Sequence, residues 1–189
     1  MVECRIFWIV PIGINESRDV VIESLESIIG NISLMDQIII VTDLPWVEQI
    51  IDNNKSCVIL PHPDIKSPGA ARNTALKYVY QTANNDDIIV FADSDDIVLS
   101  SRRNLTIREL ENSDLVTFSY HVNSRKSKVR KSNPGVLKFF FRTNIWLPTV
   151  GVKVGALNKS LFDESLLLGE DTVFFATILK NNIKVSWNQ

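Results

Sequence analysis

Five apolar residues in succession, Ile88-Ile89-Val90-Phe91-Ala92, run straight into Asp93-Ser94-Asp95-Asp96. Alternation would mark a strand with one wet face. An unbroken apolar run marks a strand covered on both faces, as in a parallel sheet between helix layers. A strand over 87–92 therefore points to an α/β architecture. It also places three carboxylates just past a strand's carboxyl end, where open α/β sheets bind ligands.

The rest of the first half repeats the order of apolar run, polar turn and amphipathic stretch. Strands are expected over 5–11, 37–41 and 57–60. Val21, Leu25, Ile28, Ile29 and Ile32 fall on one helical face, and the segment 15–19 offers capping side chains. A short helix is expected over 46–53. Ser67-Pro68-Gly69 opens a longer helix, with Ser67 as cap and Pro68 at the first helical position. Ala71, Ala75, Tyr78, Val79 and Thr82 should form its inner face. The second half is less regular. It reads as a strand over 115–122, a polar hairpin loop over 124–133, apolar pieces at 139–141 and 150–154, a helix over 170–179 and a last strand over 183–187.

The bulk properties agree with this outline. A chain of 189 residues suits one domain with a substantial core. A net charge of −2 gives no drive toward nucleic acid. Cys4 and Cys57 are isolated and fit a small-hydrophobe role better than a metal cluster. The apolar run over 6–12 is too short to span a bilayer and lacks the features of a signal peptide. We expect a cytoplasmic domain with no integral membrane segment, leaving peripheral membrane contact open.

Three carboxylates within four residues repel one another unless a cation is present. Mg²⁺ or Mn²⁺ relieves that conflict, because hard cations take oxygen ligands. The plainer alternative is an acidic turn that starts a helix. Glu170 and Asp171 divide the same way, between catalytic carboxylates and a helix start that complements the dipole. Arg72 suits either a phosphate contact or a surface ion pair.

Three segments, in order, resemble family 2 glycosyltransferases. They are Ser67-Pro68-Gly69-Ala70-Ala71-Arg72-Asn73, Phe91-Ala92-Asp93-Ser94-Asp95-Asp96, and Leu168-Gly169-Glu170-Asp171-Thr172-Val173-Phe174. The resemblance covers nearly the whole chain, from Pro11 to Phe175. It implies a GT-A fold: a Rossmann-like, mostly parallel central sheet flanked by helices, with a mixed C-terminal half. It implies one domain over 1–189, with 1–100 binding a nucleotide-diphosphate sugar and 101–189 carrying the acceptor and catalytic half. The implied reaction is transfer to an acceptor hydroxyl with inversion at the anomeric carbon.

On the same basis Asp95 is the main ligand of Mn²⁺ or Mg²⁺, with Asp93 and Asp96 beside it. Pro11, Asn15, Asp43, Arg72, Asp93 and Ser94 face the donor. Asp171 is the general base, and Glu170 positions the acceptor or the base. The acceptor is a glycan, a lipid-linked species or a protein. Two departures concern base recognition. Val41-Thr42-Asp43-Leu44-Pro45 stands where the family often has Asp-Asp-Gly-Ser, and Asn15 lies four residues past Pro11 rather than three. The Q-x-x-R-W motif of processive members is absent. A catalytically silent domain of the same fold is the alternative. A nucleotidyltransferase is disfavoured, because Pro11-Ile12-Gly13-Ile14 is a poor substitute for a Gly-rich, Arg-containing loop.

The remaining features have local explanations. Arg125, Lys126, Lys128, Arg130 and Lys131 suit a solvated hairpin loop. His62 reads as a loop histidine, with no zinc motif around it. Trp146 is expected in the core rather than in an acceptor pocket.

Overall fold

The computed structural model describes residues 4–51, 56–122, 125–126, 146–166 and 168–188, with only the backbone at 121–122 and 125–126. The first half alternates strictly. Its elements are β1 (Ile6–Pro11), α1 (Arg18–Ile29), β2 (Gln37–Val41), α2 (Pro45–Ile51), β3 (Cys57–Leu60), α3 (Pro68–Thr82) and β4 (Ile88–Phe91). Then follow α4 (Arg102–Leu110), β5 (Leu115–Phe118), the hairpin β6 (His121–Val122) and β7 (Arg125–Lys126), β8 (Val150–Lys153), α5 (Val154–Leu157), α6 (Glu170–Leu179) and β9 (Val185–Asn188).

Seven strands form one sheet in the order β3-β2-β1-β4-β8-β5-β9. β1 pairs parallel with both β2 and β4, and β5 pairs parallel with β9. β8 runs antiparallel to its neighbours β4 and β5. The expected mostly parallel sheet with a mixed second half is therefore present.

Alternation along β1 separates two cores. Phe7 and Ile9 join Ile39, Val41, Ile89 and Phe91 under Ala71, Ala75 and Val79 of α3 and Phe174 and Ile178 of α6. Ile6, Trp8 and Val10 join Ile38, Ile40 and Val90 under Val21, Leu25 and Ile28 of α1, with Val47 of α2. Every residue of β4 is buried, which is why its sequence lacks alternation.

Several expectations are corrected. α1 stops at Ile29 with Gly30 as its C-cap, so Ile32 packs from beyond the helix, and Ser17 at the N-cap makes no side-chain capping bond. On α3, Tyr78 is half-buried and Thr82 exposed, while Leu76, Arg72 and Asn73 are buried instead. The run over 115–122 breaks into β5 and β6, because β5 bonds into the main sheet and β6 pairs with β7 in a separate two-stranded sheet. Lys153 ends β8, so Val154 opens a helix. The last strand starts at Val185 rather than Ile183. Residues 139–141, the end of the helix expected over 46–53, and Lys128, Arg130 and Lys131 lie outside the described residues.

α4 was not legible from periodicity, since Thr106 and Leu110 are its buried residues. It forms by resting on β8. A Cβ on Gly151 would meet Thr106 Cγ2 at 2.6 Å, so only glycine permits that approach. Trp146 is 38% exposed rather than in the core, and its ring stands edge-on to Tyr120 at 4.6 Å.

Candidate active site

β1, β2 and β4 end side by side, with Pro11 opposite Val41 and Ile9 opposite Phe91. The loops leaving β1, β3 and β4, with the start of α3, form a cleft of about 720 Å³. That size suits a small-molecule ligand. Pro11, Asn15, Arg72, Asp93, Ser94 and Asp95 line it, together with Gly13, Glu16, His62 and Lys66.

The acidic turn behaves as its charges require. Asp93, Asp95 and Asp96 can each offer a carboxylate oxygen within 4.8 Å of the others, which is a geometry that can hold a metal ion. Partial burial, reinforced by Asp93 and Asp95, pushes the Asp96 carboxyl up to about 6. A hard divalent cation on these oxygens removes that repulsion, so the donor set fits Mg²⁺ or Mn²⁺. The turn is held by its backbone: Asp96 N–H donates to Asp93 O at 3.2 Å, and Ser24 Oγ donates to the same oxygen at 3.3 Å.

Arg72 is not a surface arginine. It is 6% exposed, donating from Nη2 to Asp93 Oδ1 at 2.7 Å and from Nη1 to Glu170 Oε1 at 3.1 Å. Among the described residues its buried Nε has no hydrogen-bond partner. The guanidinium thus joins β4's carboxyl end to the start of α6. Gly69 permits this closeness, since a Cβ there would lie 3.3 Å from Phe162 Cβ and 3.4 Å from Glu170 Cγ. Asn73 clips the same region. Its Nδ2 donates to Phe162 O at 3.0 Å, and its Oδ1 accepts from Phe162 N at 2.8 Å.

Glu170 and Asp171 open α6 behind Gly169, whose φ of +78° favours glycine. They face different partners. Glu170 joins the Arg72 network, whereas Asp171 Oδ1 accepts from Thr172 N at 2.6 Å. Neither lines the cleft itself. Asp43 stands beside the cleft, not on its wall. It accepts from Lys66 Nζ at 2.6 Å and from His62 N at 2.9 Å, and the Lys66 contact leads in lowering its pKa.

Glu16 escaped the sequence reading. Its carboxylate accepts from Gly13 N at 2.7 Å and from the Ser94 hydroxyl. The local signal was its place beside Asn15, but its partner Ser94 lies 78 residues away.

The comparisons agree with this geometry. A family model described as Glycosyl transferase family 2 matches residues 8–162. An uncharacterized glycosyltransferase of Methanocaldococcus jannaschii is 26% identical over 188 residues, covering 90% of this chain and 63% of that protein. S. aureus TarS 1-349 in complex with UDP-GlcNAc has a TM-score of 0.76 and 20% identity, over 97% of this chain and 55% of that one. The mannosyltransferase PcManGT from Pyrobaculum calidifontis, in complex with GDP-Man and Mn²⁺, has a TM-score of 0.70 and 16% identity, over 96% of this chain and 54% of that one. At such identities the two structures establish the fold. The chain spans under two thirds of each of these proteins.

Proposed function

The chain belongs to glycosyl transferase family 2 and has the GT-A fold, and from that premise we propose that it transfers a sugar from a nucleotide-diphosphate donor to an acceptor hydroxyl with inversion. The observation that carries this reading is the acidic cluster in and beside the cleft, tied through Arg72 to the Glu170-Asp171 helix start. In the reaction the acceptor oxygen bonds to the anomeric carbon as the bond from that carbon to the phosphate oxygen breaks. Asp171 takes the hydroxyl proton, and the nucleoside diphosphate leaves.

Asp95, with Asp93 and Asp96, would hold Mn²⁺ or Mg²⁺. When bound, such an ion neutralises charge on the diphosphate. Pro11, Asn15 and Ser94 shape the donor cleft, and Asp43 sits at its base-binding side. Arg72 orients Asp93 and Glu170, and Glu170 positions Asp171. The acceptor is a glycan, lipid-linked or protein hydroxyl.

A second reading has one observation in its favour. Asp171 does not line the donor cleft, which suits a domain that binds nucleotide without transfer. Calorimetric titration with UDP, GDP and dTDP, with and without Mn²⁺, tests the donor site. One of these should bind more tightly with Mn²⁺, and Asp95→Ala should abolish that gain. Equal affinity in excess EDTA would overturn the metal-dependent site. Transfer from the matching sugar nucleotide then decides between the two readings.

A further inference from the structure

Glu16 presents an electrostatic puzzle. It lines the same cleft as Asp93 and Asp95, where a diphosphate is to bind. A further carboxylate there repels the ligand, so its presence needs another cause. The hydrogen bonds supply one. Gly13 N–H donates to Oε1 at 2.7 Å, and Ser94 Oγ donates to Oε2. A Cβ on Gly13 would sit 3.1 Å from Oε1, so the glycine leaves room for the carboxylate to fold back on its own loop. Ser94 is 3% exposed, fixed in the turn that carries the acidic cluster. One side chain therefore ties together two walls of the cleft.

We propose that Glu16 is a positioning residue that fastens the loop over 12–17 to the Asp93–Asp96 turn, holding the donor cleft in its binding shape. The inference rests on the donor-site reading above. Ordering the two walls before the ligand arrives lowers the cost of binding. Ser94 then acts through Glu16 rather than through a direct contact with the donor.

The test compares the 189-residue chain with Glu16→Ala, Glu16→Gln and Ser94→Ala, titrated with UDP and GDP in Mn²⁺. Charge and geometry predict opposite signs. Removing a carboxylate should tighten an anionic ligand if charge alone matters. Losing the clasp should weaken binding about tenfold, the scale of one or two hydrogen bonds. Glu16→Gln keeps an acceptor for Gly13 N–H and a donor toward Ser94 Oγ while removing the repelling charge, so its affinity should equal or exceed that of the parent. Ser94→Ala should weaken binding, and the double variant Glu16→Ala/Ser94→Ala should bind no more weakly than Glu16→Ala. Should Glu16→Ala fail to fold, Ser94→Ala carries the test. Unchanged or tighter binding in the alanine variants overturns the inference, as does an equal loss in Glu16→Gln. If the parent binds no nucleoside diphosphate, the donor-site reading falls, and this inference with it.

Discussion

Arg72 Nη2 donates to Asp93 Oδ1 at 2.7 Å, fastening the start of α3 to the acidic turn after β4. The same guanidinium holds Glu170, so one buried cation is shared by two carboxylates from different halves of the chain. Truncating it strands both.

Arg72→Ala should destabilise the protein by about 3 kcal/mol, the low end for breaking a buried pair because Asp93 keeps some exposure. That corresponds to a melting temperature lower by ~6–12 °C for a domain of this size. Mn²⁺ should recover part of the loss, and more in the variant than in the parent, because a cation on Asp93 replaces the missing charge. Thermal denaturation with and without Mn²⁺ checks both statements. A variant as stable as the parent would show that the network contributes little.

The Asp96 carboxyl, raised to about 6 from an ordinary 3.8, fixes a sign for pH dependence. The folded chain holds this proton more tightly than the unfolded chain. Asp96 therefore contributes stability that is fully present below about pH 4 and is lost as pH rises through 6. In EDTA, Asp96→Asn should be more stable than the parent at pH 8, and the difference should shrink toward pH 4. Denaturant midpoints across that range measure it. Mn²⁺ affinity should rise over the same interval as the proton leaves.

Separate partners for Glu170 and Asp171 predict separate phenotypes. Asp171→Asn should cut turnover by roughly 10²-fold or more while donor affinity barely changes, as expected for loss of a general base. Glu170→Gln weakens the pairing with Arg72 and should lower stability as well as turnover. Single-turnover rates beside donor titrations separate the two. Near-parental turnover in Asp171→Asn, with chemistry limiting, would move the base assignment elsewhere.

Gly169→Ala puts a methyl group on a residue with φ of +78° where none of the described residues lies within 4 Å of the added carbon. The penalty is therefore one of backbone conformation, about 1 kcal/mol. The strained turn should also shift the start of α6, reducing turnover more than donor affinity. A substitution that changes neither stability nor kcat would remove the turn from the mechanism.

The elements read correctly from the sequence are those whose signal lies within a few residues. The unbroken run of β4 announced a strand buried on both faces, and Ser67-Pro68 announced α3, where Ser67 Oγ accepts from Ala70 N at 3.1 Å. α6 has the boundaries expected of it, Glu170 to Leu179. Asp93, Asp95 and Asp96 were legible as a cluster because a turn leaves residues so near in sequence no room to separate.

Chain folding over long separations decided the rest. Arg72 reads equally well as a surface residue until Glu170, 98 residues on, is brought to its guanidinium. Glu16 stands beside Asn15 in the sequence, but its partner is set only when β1 and β4 lie side by side and bring Ser94 against it. α4 has too few apolar residues to declare a buried face, and its position depends on the space Gly151 leaves on β8. Local sequence determines which backbone conformations and which charges occur together. Partners distant in sequence meet only when burying both faces of the sheet fixes the order of its strands, so the pairings at this site belong to the tertiary structure.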